Sequence, residues 1–419
     1  MSTAQTHFSF ADGAGALPSL RAFTFAPTRL ALARMLVVFS FIWPFFNYQL
    51  VDPSSLTEIN FLPVILAAVL VPEITLREKW SLVLTLPVFA VALIWANPTA
   101  WLRLAVGIIP LHFVLNLTRH LKEHGRELIP SDLAYRALIV FVVFCMMQTV
   151  QFNVFPVIPE WLTAALMQVV PRYSAIPYDD TGIRGVQGWA SEPSSAALVC
   201  VAFSLVAIRQ RPQRRWRVLA LFALFVLLNK SIYALVLLIL LALGCLFASR
   251  KKLLPLLALI PMSLAVSVYI ARSGRLAQLH NNLLVSGVNS EFNKELMRFA
   301  QMFYPLQGFP RIYSPPNLYG SLVMEPMGLL PLLTGYGSVP GLVWLIYILW
   351  RNFPPRRVLL RPLALVAGLV LLMMTTPDLI PSVVALTVFL VPRTKQAASA
   401  EYPEGDESGA AFSSTGGAH

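Results

Sequence analysis

Apolar runs long enough to cross a bilayer decide what this chain can fold into. Such runs, roughly 17–25 residues each, follow one another along nearly all of the 419 residues. No gap between them holds a soluble domain of ordinary size. Only 12% of residues are charged, against about 25% in soluble domains, so most of the surface must face something other than water. In hydrocarbon the backbone has to satisfy its own hydrogen bonds, which a helix does. The fold class is therefore an all-α integral membrane protein, a polytopic bundle of about twelve transmembrane segments.

The pattern predicts a cytosolic N-terminal tail over 1–30, one polytopic membrane domain over 31–393, and a disordered, polar cytosolic tail over 394–419. The expected spans are 35–51, 59–74, 80–96, 101–117, 137–155, 193–208, two arms within 218–248, then 253–271, one within 320–350, and a broken pair within 363–391. Two long polar segments, about 156–190 and 272–319, are the outer loops. The first apolar run has no small-residue cleavage site behind it, so no signal peptide is expected. Prolines 44, 63, 87, 110 and 261 fall inside spans, where membrane helices tolerate them. Cys145, Cys200 and Cys245 all sit in apolar runs and read as buried small hydrophobes rather than disulfides or metal ligands.

Charge gives the sidedness. A net charge of +12 could indicate nucleic acid, but cytoplasmic loops of membrane proteins are rich in Lys and Arg, and the dense basic runs RQRPQRRWR and SRKK fit that rule. Those two runs flank 218–248 and put both its ends in the cytosol. The stretch must go out and return, although its first arm, about 218–228, is too short to cross about 30 Å of hydrocarbon. Lys230, in the interruption Asn229-Lys230-Ser231, then lies at or below the outer surface, surrounded by protein. Basic residues on the outer side are the informative ones. They are Arg103, Arg172, Arg184, Lys230, Arg272, Arg275, Lys294, Arg298 and Arg311. As a group they suggest an anionic ligand, since guanidinium forks suit phosphate oxygens. Singly, each reads equally well as a solvated loop charge or a contact with lipid headgroups.

The strongest local signal is Arg184-Gly-Val-Gln-Gly188-Trp-Ala-Ser-Glu192-Pro193-Ser194. Pro193 suits a first helical turn, Ser191 can cap it, and Glu192 sits well at the positive end of the dipole. Arg184 and the two glycines ask for more: a tight turn that brings backbone near a ligand. Further on come Glu295-Leu-Met-Arg298, Pro305-Leu-Gln-Gly308, Pro316-Asn317-Leu-Tyr319 and Glu325-Pro-Met-Gly328-Leu-Leu. The segment 290–303 carries Phe292, Leu296, Phe299 and Phe303 at helical spacing, as an interfacial helix or a lid would. Asp179-Asp180 could ligate a metal, but adjacent carboxylates without a third ligand more often mark a turn. His280-Asn281-Asn282 could hold a general base, or is a polar loop.

The RGVQGWASEPSS segment resembles the Arg-Gly-x-x-Gly-x-x-x-Glu-Pro-Ser signature of bacterial exopolysaccharide and O-antigen polymerases (Wzy-type), relatives of the O-antigen ligases. The Asn229-Lys230-Ser231 break is similar to that family's short interrupted helix pair, where Ser-Arg often stands. The pieces from Glu295 to Gly328 resemble its outer-loop arginine helix, glycine turn and Asn-anchored return. Ligases commonly carry a His beside that Asn; Pro316 stands here, which favours a polymerase.

The resemblance covers about 180–340 and implies a GT-C-like helical bundle. It also implies the bacterial inner membrane, with the active site on the periplasmic face and both termini cytosolic. The expected activity is a metal-independent glycosyltransferase without a cofactor. It would move a glycan from undecaprenyl diphosphate to a sugar hydroxyl on another lipid-linked repeat unit. The partners are that lipid-linked oligosaccharide, membrane lipids and a chain-length regulator protein, not nucleic acid. Arg184, Arg298 and Lys230 would stabilise the departing diphosphate. Arg172, Arg275, Arg311 and Asn317 would bind substrate, and Tyr178 and Trp189 would stack on sugars. Glu192 would either take the acceptor proton or hold Arg184. A glycan ligase and a flippase for lipid-linked oligosaccharide are the alternatives. The absence of an internal repeat weakens the flippase, as do spans expected to be very apolar on their cytosolic half.

Overall fold

The computed structural model describes residues 27–43, 47–48, 57–58, 61–95, 98–154, 178–179, 182–183, 186–190, 193–248, 264, 268, 328–353, 360–374 and 380–391. The expected span 253–271, the outer loop 272–319 and the C-terminal tail lie outside these, but for positions 264 and 268. The described residues are overwhelmingly helical. The helices are α1 (Pro27–Ile42), α2 (Leu62–Leu70), α3 (Pro72–Thr75), α4 (Lys79–Trp95), α5 (Pro98–Glu123) and α6 (Leu133–Val154), followed by α7 (Pro193–Gln210), α8 (Arg215–Asn229), α9 (Ile232–Phe247), α10 (Leu329–Asn352), α11 (Arg361–Leu369) and α12 (Ile380–Leu390). Two small antiparallel ladders join β1 (Asn47–Tyr48) to β2 (Thr57–Glu58) and β3 (Tyr178–Asp179) to β4 (Gly182–Ile183).

Helix α7 is the axis of the bundle: from Ala196 to Arg209 every residue is buried, against α6, α8, α9 and α12. Helix α6 shows the opposite design. Leu138, Phe141, Val142, Cys145 and Gln148 face inward, while Val140, Val143, Met147 and Val150 lie bare on the outer face. A helix apolar on both faces, with large exposed aliphatics at helical spacing, suits hydrocarbon rather than water. Trp80, Leu86 and Leu93 on α4 and Ile346 and Trp350 on α10 repeat the pattern. Among the described residues, three helical stretches are long and apolar enough to cross a membrane: Leu104–Glu123, Leu133–Val150 and Pro193–Gln210. The three cysteines are free and buried, as their surroundings in the sequence imply.

Several boundaries depart from expectation. Helix α1 starts at Pro27, inside the supposed tail, and ends at Ile42; residues 47–48 are already extended and paired with 57–58. The span expected over 59–74 is not one helix. Pro72 supplies no N–H and disfavours helical backbone at Val71, which stands at φ −131°, ψ 64° and ends α2 after nine residues. At 1.5 Å per residue α2 is about 13 Å long, too short to cross. Helix α5 runs through the basic segment expected to be loop, as far as Glu123, because its charges find partners there. The C-terminal run forms two short helices, as expected, with a π-helical turn, Val370–Met374, following α11; residues 375–379 of the expected TTPDLIP break lie outside the described residues.

The helix ends form two contrasting sets. At one end, Glu78 accepts from Arg119 (3.0 Å), Arg351 (3.2 Å) and the Tyr347 hydroxyl (3.0 Å), drawing α5 and α10 to the start of α4. Asp132 holds Arg211 (2.5 Å) and Arg214 (2.9 Å). Arg34 Nε donates to the Leu128 carbonyl (2.9 Å) and Gln210 Nε2 to the Ile129 carbonyl (2.9 Å). Deeper in the same half, His112 Nε2 lies 2.8 Å from the Thr75 carbonyl and Nδ1 lies 2.9 Å from Ser81 Oγ. A carbonyl only accepts, so Nε2 carries the hydrogen, and the imidazole closes the break between α3 and α4. This half is therefore not purely apolar, contrary to expectation, but each of these polar groups is engaged by protein.

Candidate functional site

The opposite end is built around the glycine turn of the RGVQGWASEP segment. Residues 187–190 form a turn closed by Ala190 N–H donating to the Gln187 carbonyl (3.0 Å). Gly188 has φ +61°, and a Cβ there would lie 2.5 Å from Phe141 Cε2 and 3.2 Å from Cys145 Sγ. Only glycine meets both demands, the left-handed backbone and the close approach to α6. Gln148 of α6 completes the seat: its Oε1 accepts from the Gly188 N–H (2.9 Å) and the Gln187 N–H (3.2 Å), and its Nε2 donates to the Gly188 carbonyl (3.4 Å). Downstream, α7 begins at Pro193, where a missing N–H costs nothing in a first turn.

Trp189 is a packing residue in this structure rather than an open stacking platform. It is 5% exposed. Its ring stacks on Trp43 (centroids 5.6 Å apart, planes at 15°) and meets Phe141 edge-on at 4.6 Å. A sugar would have to displace Trp43 to reach that face.

The interrupted hairpin meets this turn directly. Asn229, the last residue of α8, is fully buried, and its Nδ2 donates to the Val186 carbonyl (2.7 Å) and the Pro193 carbonyl (3.0 Å). One amide thus bridges the two ends of the glycine turn to the end of α8. Its Oδ1 is buried without a hydrogen-bond partner among the described residues. Lys230 follows in the left-handed region, φ +57°, ψ 16°, with its backbone N–H on the Val226 carbonyl (3.0 Å). Ser231 is extended and α9 starts at Ile232. Helix α8 has fifteen residues, or about 22 Å, so it stops short of a full crossing, as expected.

The left-handed cap costs a side-chain-bearing residue roughly 1–2 kcal/mol that glycine avoids. Lysine in that position stands against its local conformational preference. Lys230 is partly buried, and no carboxylate pairs with it among the described residues.

Gly328, within the Glu325-Pro-Met-Gly328-Leu-Leu segment, caps α10 at φ +88°, and a Cβ there would sit 2.2 Å from the Leu372 carbonyl oxygen. It is thereby pressed onto the π-helical turn that follows α11, and α11 packs on α9. The glycine turn, the interrupted hairpin and Gly328 are linked through neighbouring helices.

Of the expected site residues, Lys230 and Trp189 are described in full. For Tyr178 the backbone alone is described, in β3 opposite Ile183. Arg172, Arg184, Glu192, Arg275, Arg298, Arg311 and Asn317 lie outside the described residues, as does Asp180 of the acidic pair. Arg103 is described in its backbone within α5. Sequence reasoning missed Gln148 and gave the interruption's importance to Lys230 alone. The polar triplet positions Gln148, Gln151 and Asn153 near the end of an apolar run were the available signal. No protein-family model, curated protein or solved structure matches this chain.

Proposed function

We propose that the chain is a polymerase of lipid-linked oligosaccharide repeat units in the bacterial inner membrane, working on its periplasmic face. The observation that carries the reading is the Asn229 amide. It joins the glycine turn and the interrupted hairpin, two pieces of the family signature about 40 residues apart, into one unit. Support for the membrane comes from the bare apolar faces of α4, α6 and α10. Support for the sidedness comes from the segregation of the arginine-rich contacts to the other end of the helices, which the positive-inside rule assigns to the cytosol.

In the reaction, the bond between the donor glycan's anomeric carbon and the lipid diphosphate breaks, and the diphosphate leaves with the electron pair. A bond to the acceptor hydroxyl oxygen forms, and that hydroxyl gives up its proton. Charge builds on the departing phosphate oxygens. Lys230, with Arg184 and Arg298, is the group that offsets it, through preorganised cations rather than solvent. Glu192, one residue before Pro193, is placed by sequence to orient Arg184 or to receive the proton.

The reading predicts that Arg184→Ala and Arg298→Ala each abolish polymer in cells while leaving the protein level and the single lipid-linked repeat units intact. Polymer of normal chain length in both variants contradicts the assignment. Finished polymer accumulating on lipid carrier would instead identify a ligase.

A further inference from the structure

We propose that Asn229 is a positioning residue for Lys230: its amide fixes the lysine against the glycine turn so that the ammonium meets the diphosphate of the lipid carrier. This rests on the polymerase reading above. Three observations carry it. Asn229 is fully buried and spends both amide hydrogens on main-chain carbonyls, Val186 at 2.7 Å and Pro193 at 3.0 Å. Those carbonyls lie within the signature, on either side of the glycine turn: Val186 is two residues after Arg184 and Pro193 one residue after Glu192. Consecutive Cα atoms are about 3.8 Å apart, so the tie acts within one or two residues of both. The third is that Lys230 follows Asn229 directly, in a left-handed conformation that its own local preference resists. Without the amide, the hairpin tip and the turn lose their common anchor. The turn itself keeps Gln148 on the Gly188 and Gln187 amides. The turn therefore has a second support, and loss of Asn229 frees the hairpin tip from a turn that α6 still seats, at a cost in stability that reading affinity on the folded fraction removes.

The test uses the purified full-length chain in detergent, with undecaprenyl diphosphate as the probe, affinity being referred to the folded fraction. Lys230→Ala is expected to weaken binding about tenfold, the scale of one charge-assisted hydrogen bond. Asn229→Ser is expected to weaken it several-fold, and the double variant Asn229→Ser, Lys230→Ala to bind no worse than Lys230→Ala alone, because the asparagine acts through the lysine. Losses that multiply in the double variant, or unchanged affinity in Asn229→Ser, overturn the positioning role and leave the polymerase reading standing. Failure of the unaltered chain to bind undecaprenyl diphosphate overturns both.

Discussion

The two ends of the helix bundle are held by different chemistry. At the arginine-rich end, cations are paired with carboxylates where they stand: Arg119 and Arg351 share Glu78, Arg211 and Arg214 share Asp132, and Arg77 meets Glu123. At the other end, the cross-links among the described residues are neutral amides on main-chain groups, Gln148 on the Gly188 turn and Asn229 on Val186 and Pro193. Carboxylates used as struts there would neutralise the neighbouring lysine. Amides hold the backbone just as directly and leave the charge of Lys230 uncompensated among the described residues. On the proposed reading, the difference separates an end built for fixation from an end that keeps a cation available to an anion.

Substitutions can break this comparison at graded cost. The largest loss is expected for Gly188→Val, which combines a disfavoured φ with side-chain atoms driven into Phe141 and Cys145. Overpacking and left-handed strain together cost about 3 kcal/mol or more, seen as a steep drop in thermal stability in detergent. A variant as stable as the parent would show that α6 does not seat the turn. Next, Glu78→Ala leaves Arg119 and Arg351 without their shared carboxylate, which is 14% exposed. Partial burial puts the loss at about 2 kcal/mol, below that of a fully buried pair. Glu123→Gln is the control at the same end: Arg77 and Glu123 are 43% and 51% exposed, and such surface pairs contribute about 0–1 kcal/mol. Equal losses in these two variants would remove the distinction between strut and surface pair.

How much of this was legible in the sequence depends on whether the signal was local. Helices α4, α6 and α7 follow apolar runs bounded by polar or basic residues, and their expected limits fall within a few residues of those observed. The break at Val71 was hidden because the apolar run reaches Pro72 unbroken and Ile74 prolongs it past the single charge of Glu73. Hydropathy does not register a missing N–H. The last turn of α5 was hidden for the opposite reason: Arg119, Lys122 and Glu123 look like loop until Glu78, Val391 and Arg77 supply partners from distant segments. At the site, the glycine turn, the helix start at Pro193 and the interruption at 229–231 were readable, since glycine, proline and a polar insertion speak locally. Gln148 was not, because its partners lie about 40 residues away, on a turn that comes to meet it only in the fold. The same holds for Trp189, which the sequence offered as a ring to stack on sugars and the structure covers with Trp43.

The most direct test is Lys230→Gly. Glycine suits the left-handed cap better than lysine, so the fold should lose nothing and gain as much as about 1 kcal/mol, read as an unchanged or higher melting temperature of the purified protein. Polymer formation should fail in the same variant, because the cation is gone. A stable Lys230→Gly protein that still makes polymer of normal length would contradict the claim that this end of the bundle keeps its lysine for the lipid diphosphate.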